Sequence, residues 1–131
     1  MHYKFFMLSV MAILILTILS ACDNNPYAIQ PDTAKELLAT DDSVILLDVR
    51  TKTEYDTEHI PGSILIPLAQ LENDIENIIT DKTTTIIIYC RSGNRSLEAI
   101  DILENLNYTN LYDLGGILDW PYDIHVCNGD C

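Results

Sequence analysis

The sequence predicts an α/β fold in which one parallel sheet carries helices on both of its faces. Segments rich in apolar and β-branched residues, such as SVILLDV and TTTIIIYC, alternate with segments whose leucines and isoleucines recur every three or four residues, such as LAQLENDIENII. Strands that are apolar throughout are typical of parallel sheets, because both of their faces are covered. The segments alternate in the order β-α-β-α-β-α-β-α-β, which supplies the crossover helices that parallel strands require.

The elements follow one another without a long linker. The apolar start AIQ leads into a helix that Pro31 and Asp32 open, and SVILLDV is the next strand. RTKTEYDTEH predicts a short polar helix, IPGSILIPL a turn with a strand, and LAQLENDIENII an amphipathic helix. TTTIIIYC, RSLEAIDILENLNY and TNLYDLGG predict a strand, a helix and a last strand, and Pro121 stops a final short helix or turn.

Residues 1–21 predict the signal peptide of a lipoprotein. A short start with one lysine precedes an apolar run of about fifteen residues, which is less than the roughly twenty that span a bilayer. The run ends in Leu19-Ser20-Ala21-Cys22, which resembles the lipobox of bacterial lipoproteins. The resemblance implies cleavage before Cys22 and attachment of lipid to that residue, and several acyl chains anchor a protein stably. A plain N-terminal membrane anchor is the alternative.

Cleavage there would leave 110 of the 131 residues, enough for one domain with one core. We predict a tether over residues 22–27, a domain over residues 28–125 and a cysteine-containing tail over residues 126–131. The cleaved chain keeps six basic and all 20 acidic residues, a formal charge of −14 that disfavours nucleic acid as a partner. Asp23, directly after the lipidated cysteine, resembles the signal that keeps Gram-negative lipoproteins on the inner membrane. We therefore expect an exported domain that is anchored to the outer side of the cytoplasmic membrane, whether periplasmic or extracellular.

If the chain is exported, a role can be predicted for each of its four cysteines. Cys22 would carry lipid, and Cys127 and Cys131 enclose the segment CNGDC. Outside the cytoplasm two cysteines this close most often form a disulfide, whereas two thiolates alone do not complete a metal site. This pairing leaves Cys90 as the odd thiol. In the alternative, Cys127 or Cys131 would resolve an oxidised Cys90.

The segment CRSGNR, residues 90–95, carries the candidate active site. Cys90 ends the most strongly β-like segment, a helix begins near Arg95 or Ser96, and ligands of parallel sheets bind beyond the carboxyl ends of the strands. The helix N-terminus and the two arginines favour a thiolate, and Gly93 permits a tight loop whose amides face an anion. A buried thiol beside an arginine-rich turn is the structural alternative.

Three segments, LLDVRTKTEYDTEHIPGSILIPL, IIIYCRSGNRS and YDLGGILDW, together resemble the single-domain rhodaneses, a family of sulfurtransferases. The resemblance covers residues 29–124 and implies a five-stranded parallel sheet with flanking helices. It also implies that the cysteine takes a sulfane sulfur from a small anionic donor such as thiosulfate, forms a persulfide and passes the sulfur to a thiol or to cyanide. We expect a monomer that needs neither cofactor nor metal.

Transferred to this sequence, the resemblance makes Cys90 the nucleophile. The backbone of the next six residues would cradle the persulfide and the donor, and these residues are Arg91, Ser92, Gly93, Asn94, Arg95 and Ser96. Arg91 and Arg95 would hold the donor, and Arg50 would face the substrate. Asp48 and His59 would support the site, His59 as a structural hydrogen-bonding residue rather than a base. Alternatively, Asp48 and Arg50 would only brace the EHIPG turn.

Two other functions fit the same thiol. Cell-cycle cysteine phosphatases are related, but they place five residues between cysteine and arginine where Cys90 and Arg95 enclose four. The shorter loop suits a single sulfur better than a phosphate. The second alternative is a lipid-anchored module that binds a partner or senses persulfides and oxidants, since an accessible thiolate oxidises readily.

Overall fold

A computed structural model describes residues 24–127 of the protein. The helices are α1 (Pro31–Thr40), α2 (Lys52–Thr57), α3 (Leu68–Ile78) and α4 (Asn94–Asn105), with a 3₁₀ helix over Ile117–Asp119. The strands are β1 (Ile45–Asp48), β2 (Glu58–His59), β3 (Ile64–Leu65), β4 (Thr85–Cys90), β5 (Asn110–Gly116) and β6 (His125–Val126). The order of these elements follows the alternation that the sequence predicts.

The main sheet has the strand order β3-β1-β4-β5, and every pair in it is parallel. Successive side chains of the central strand β4 point to opposite faces. Ile86 and Ile88 join the core that α3 and α4 cover, whereas Ile87 and Tyr89 join the core under α1. The parallel sheet with helices on both faces is therefore confirmed, and Cys90 lies on the face of α3 and α4.

The sheet has four strands within residues 24–127, where the sequence and the resemblance predict five. In place of the first strand, Ala28 forms an isolated parallel bridge to Asp113. The amide of Ile29 donates to the carbonyl oxygen of Asp113 at 3.0 Å. Pro31 then opens α1, so the extended segment ends before it becomes a strand.

A second, antiparallel sheet joins β2 to β6 and is absent from the sequence prediction. His59 lies opposite His125, and Glu58 lies opposite Val126. The amide of Cys127 donates to the carbonyl oxygen of Thr57 at 3.0 Å, which extends the pairing by one residue. The tail predicted over residues 126–131 thus starts inside a strand that is paired to the domain.

Within residues 24–127 no helix is both long enough and apolar enough to cross a membrane. The predicted signal peptide, the lipidation site Cys22 and the tail residue Cys131 lie outside the described residues.

Candidate active site

Cys90 is the last residue of β4 and is only 1% exposed. Its Sγ accepts a hydrogen bond from the amide of Gly93 at 3.0 Å, and the Oγ of Ser96 lies 3.9 Å away. Ser96 in turn donates from its Oγ to the carbonyl oxygen of Gly93 at 2.8 Å. The sulfur is therefore held as an acceptor at the centre of a short polar loop.

The loop connects β4 directly to the first turn of α4. Gly93 has a φ of 104°, a left-handed conformation that glycine adopts without strain, and α4 begins at the next residue, Asn94. The loop thus turns back over Cys90 and sets the sulfur near the positive end of a twelve-residue helix. The predicted helix N-terminus behind the cysteine is present, one or two residues earlier than expected.

Gly116, at the end of β5, supports the loop from below. It pairs with Cys90, and an irregularity between β4 and β5 at Ile88 and Tyr89 sets this register. A Cβ on Gly116 would lie 2.3 Å from the carbonyl oxygen of Arg91 and 2.7 Å from the Cα of Ser92. Gly116 itself has an ordinary φ of −112°, so it is the approach of the loop that requires a glycine here.

Arg95 is bound by a carboxylate. Its Nη1 and Nη2 donate to the two carboxylate oxygens of Glu54, both at 2.8 Å. Glu54 also closes a capping box with Thr51 at the start of α2. The hydrogen bond from Arg95, with help from Thr51 and against some desolvation, lowers the pKa of Glu54 to about 2. The charge of Arg95, one of the two arginines expected to hold the donor, is thus already neutralised by Glu54.

Arg50 is bound in the same way, but it is buried. Its guanidinium donates to the carboxylate of Asp48, with Nη2 at 2.7 Å from Oδ2, and also to the carbonyl oxygen of Glu58 at 2.7 Å. Arg50 is 3% exposed and Asp48 is fully buried. Burial disfavours the charge on Arg50, yet the hydrogen bonds and charge of Asp48 outweigh this and raise its pKa. The pair thereby braces the start of the EHIPG turn.

Arg91 is the exposed arginine of the site. No ion pair among residues 24–127 involves it. Ser92 and Asn94 flank Gly93 in the same loop, and Asn94 is exposed as well. Of the three arginines predicted for the site, Arg91 is the one whose charge is available to an incoming anion.

His59 lies on β2 as a packing and hydrogen-bonding residue. Its ring stacks on that of Tyr55 at 3.9 Å between centroids, and its Nδ1 lies 2.9 Å from the carbonyl oxygen of Tyr55. His125 packs against it at 5.1 Å. The Sγ of Cys127 lies 3.9 Å from Nδ1 and belongs to a disulfide whose other cysteine lies outside the described residues, whereas Cys90 is a free thiol.

A cavity of about 240 Å³ opens beside the loop. Its walls combine the first residue after Cys90 with residues of α2 and of the 3₁₀ helix, and the lining includes Arg50, Glu54, Glu58, Arg91, Ile117 and Leu118. No group of three or more His, Cys, Asp or Glu side chains in residues 24–127 could hold a metal ion. The loop contributes Arg91 to this lining, and the free thiol of Cys90 belongs to the residue just before it.

Three contributors to the site are absent from the sequence prediction. Glu54 could have been found, because Thr51 and Glu54 have the spacing of a capping box, which places Glu54 on the first turn of α2. In the sequence Gly116 stands out only as the second residue of a Gly-Gly pair. Tyr89, whose hydroxyl contacts the amide of Ile60 at 3.2 Å and Oγ of Ser63 at 3.0 Å, looks like an ordinary strand residue.

Together these features define a class of protein: a parallel α/β domain whose one free cysteine, among the residues described, sits in an amide-lined loop between a strand and a helix. The family model of the rhodanese-like domain matches residues 30–122. The chain belongs to this family.

Relatives and solved structures agree with this assignment. The chain is 37% identical over 73 residues to the thiosulfate sulfurtransferase PspE of Escherichia coli (strain K12), covering 56% of this chain and 70% of that protein. It is 32% identical over 93 residues to a sulfurtransferase of Allochromatium vinosum, covering 70% and 85%. A structure described as rhodanese with anions from E. coli matches with a TM-score of 0.60 and 32% identity over 63% of this chain and 98% of that one. The protein is thus a rhodanese-type sulfurtransferase.

Proposed function

We propose that the protein moves a sulfane sulfur from a small anionic donor, such as thiosulfate, to a thiol or to cyanide through a persulfide on Cys90. The observation that carries the proposal is the hydrogen bond of 3.0 Å from the amide of Gly93 to the Sγ of Cys90. A backbone amide directed at sulfur stabilises negative charge on it, and the thiolate is the nucleophilic form of cysteine.

The first half of the reaction loads the sulfur. The Cys90 thiolate attacks the outer sulfur of thiosulfate, a new S–S bond forms, and the S–S bond of the donor breaks with its electron pair leaving on sulfite. No proton is transferred at the reacting sulfur, so no general base is needed, and His59 can serve structure alone. Arg91, exposed at the start of the loop, attracts the donor.

The second half returns the enzyme to its starting state. A thiolate or cyanide attacks the outer sulfur of the Cys90 persulfide, and the electron pair of the broken S–S bond returns to Cys90. The loop amides that stabilise the thiolate also stabilise the persulfide, because both carry one negative charge on sulfur. One set of donors thereby serves both states of the cysteine.

The variant Cys90→Ser tests this function. Transfer of sulfur from thiosulfate to cyanide should fall to the background rate, while circular dichroism stays that of the parent protein. Cys127→Ser serves as the control, because it opens the disulfide on the β2–β6 side of the domain, away from Cys90, and should retain transfer. Turnover that survives in Cys90→Ser would refute the persulfide mechanism, and loss in both variants would point to a joint role of the two cysteines.

We also propose that Cys22 carries lipid and anchors the domain on the outer side of the cytoplasmic membrane. The sequence Leu19-Ser20-Ala21-Cys22 after an apolar run supports this. In cells expressing the full chain, the protein should sediment with membranes and be digested by a protease added to spheroplasts or protoplasts. Cys22→Ser should release it from its lipid without changing sulfur transfer. Equal lipid labelling of both proteins would refute the assignment.

A further inference from the structure

The cavity beside the active-site loop carries no net positive charge. Four charged residues line it, the cations Arg50 and Arg91 and the anions Glu54 and Glu58. Arg50 is already ion-paired with Asp48, which adds one further negative charge next to the wall. Arg95 adds one positive charge there and pairs with Glu54, so the balance remains even.

A dianion such as thiosulfate gains little electrostatic binding energy from a cavity whose surrounding charges sum to zero. Electrostatic attraction grows with the charge of the ligand only where the site holds an excess of the opposite sign. Here the two remaining charges, those of Arg91 and Glu58, sum to zero, and neither residue joins an ion pair among residues 24–127. The chain as a whole has a formal charge of −13, which opposes the approach of any anion.

The 3₁₀ helix gives the same cavity an apolar portion of its lining. Leu118 lies on the 3₁₀ helix, is 61% exposed and lines the cavity together with the buried Ile117. Its position is fixed to the catalytic loop, because its amide lies 3.4 Å from the carbonyl oxygen of Arg91 and donates to it. A large aliphatic side chain that lines the cavity offers contact to an organic group on the ligand, which inorganic thiosulfate lacks.

We infer that the site selects sulfur donors that carry one negative charge and an organic group, such as an organic thiosulfonate or persulfide, over the dianion thiosulfate. Leu118 contacts the organic group, and Glu54 limits the charge by holding Arg95. This inference rests on the proposed function and specifies its donor. Both residues are specificity-determining rather than reacting.

Thiosulfonates are suitable probes, because they differ from thiosulfate in charge and size but react in the same way. The Cys90 thiolate attacks the outer sulfur of R–SO₂–S⁻, a new S–S bond forms on Cys90, and the broken S–S bond leaves its electron pair on the sulfinate R–SO₂⁻. Methanethiosulfonate differs from thiosulfate in charge, and benzenethiosulfonate differs from methanethiosulfonate in apolar size. Ratios of kcat/KM between variants and the parent cancel the intrinsic reactivity of each donor.

The charge half of the inference is tested with Glu54→Gln. Release of Arg95 should raise kcat/KM for thiosulfate relative to methanethiosulfonate by about three- to tenfold. Asp56→Asn is the matched control, because Asp56 lies on the same helix, makes a comparable ion pair with Lys52 and changes the total charge equally. An unchanged ratio in Glu54→Gln, or an equal change in Asp56→Asn, overturns this half.

The apolar half is tested with Leu118→Ser, whose exposed position makes folding robust to the change. The variant should lower kcat/KM for benzenethiosulfonate relative to methanethiosulfonate by about three- to tenfold. Ile78→Ser is the matched control, since Ile78 is 53% exposed at the end of α3 and does not line this cavity. Equal losses for both thiosulfonates in Leu118→Ser overturn the contact.

The outcomes separate the inference from the function beneath it. Transfer from all three donors with unchanged ratios in both variants refutes donor selection and leaves the persulfide mechanism standing. Failure of every donor to place sulfur on Cys90 in the parent protein refutes the proposed function itself. Melting temperatures of all four variants, measured alongside, exclude unfolding as the cause of a changed ratio.

Discussion

Three arginines surround Cys90, and their partners determine what each can do. Arg50 is buried against Asp48, Arg95 is held by Glu54, and Arg91 is exposed. In the sequence Arg91 and Arg95 are equivalent cations beside Cys90, and Arg50 is a third candidate on an earlier segment. Only the tertiary contacts distinguish an arginine that braces a turn from one that can meet a ligand.

Replacing Arg91 by alanine should weaken the binding of thiosulfate and little else. Because Arg91 is exposed, we expect KM to rise by about five- to tenfold, the effect of roughly 1 kcal/mol, with kcat nearly unchanged. Steady-state kinetics with thiosulfate and cyanide measure this. Lys52→Ala provides the control, since Lys52 is a 74% exposed cation on α2 that pairs with Asp56. A KM for thiosulfate that does not move would contradict the role of Arg91.

The ion pair of Glu54 with Arg95 makes part of the stability depend on pH. The pKa of Glu54 falls from an ordinary 4.5 to about 2 in the folded protein. A lowered pKa means that the pair stabilises the fold above the unfolded pKa and that this contribution is lost as pH falls from about 5 towards 2. Urea unfolding at about pH 6 and about pH 3 should show a smaller loss for Glu54→Gln than for the parent. Equal losses would show that the pair adds nothing.

At the scale of elements, the site forms where the carboxyl ends of the parallel strands β4 and β5 lie side by side. β4 delivers Cys90, and β5 delivers Gly116 directly opposite, close enough that the loop passes over it without room for a side chain. The 3₁₀ helix then continues into the wall of the cavity. Loop conformation thus depends on β5 as much as on the loop's own residues.

Gly116→Ala should therefore disable the enzyme while leaving the sheet intact. The added Cβ would lie 2.3 Å from the carbonyl oxygen of Arg91, so the loop must move. Displacement of reacting groups by about 1 Å costs about a hundredfold in rate, and we expect kcat/KM to fall by that order.

Gly62→Ala is the comparison for this prediction. Gly62 has a φ of 82°, and a Cβ added there would meet nothing within 4 Å, so alanine brings backbone strain of about 1 kcal/mol but touches no loop. It should lower the melting temperature and keep full activity. Activity retained in Gly116→Ala would show that the loop tolerates the shift.

The sequence was sufficient for the architecture and for placing Cys90 in a loop between a strand and a helix. Apolar strands alternating with amphipathic helices predict the parallel sheet, and a cysteine between β4 and α4 predicts the loop. Two features were not predictable: the expected first strand is reduced to a single bridge, and β2 pairs with β6. Pairings of one or two residues depend on which segments meet in three dimensions. The partners of Arg50 and Arg95 come from other elements, and no spacing in the loop reveals them.

At the scale of the whole molecule, a strongly acidic chain carries an active-site loop with one exposed arginine, Arg91. The formal charge of −13 repels anions at long range, whereas Arg91 acts at short range. Salt screens the long-range part more strongly, because the Debye length falls from about 30 Å at 0.01 M to about 8 Å at 0.15 M. The two contributions can therefore be separated by ionic strength.

Raising ionic strength from about 0.01 M to about 0.15 M should increase kcat/KM for thiosulfate. Screening removes repulsion by the whole chain while contacts at the neutral cavity change little. The increase should be smaller for methanethiosulfonate, which carries one charge instead of two. A decrease for thiosulfate would mean that local attraction by the arginines dominates the encounter.

Mass spectrometry of the soluble domain after incubation with thiosulfate tests the central claim most directly. We predict that the peptide containing Cys90 gains the mass of one sulfur atom, and that cyanide removes it with formation of thiocyanate. No gain on Cys90, combined with release of phosphate from an aryl phosphate, would contradict the persulfide mechanism and make the protein a cysteine phosphatase.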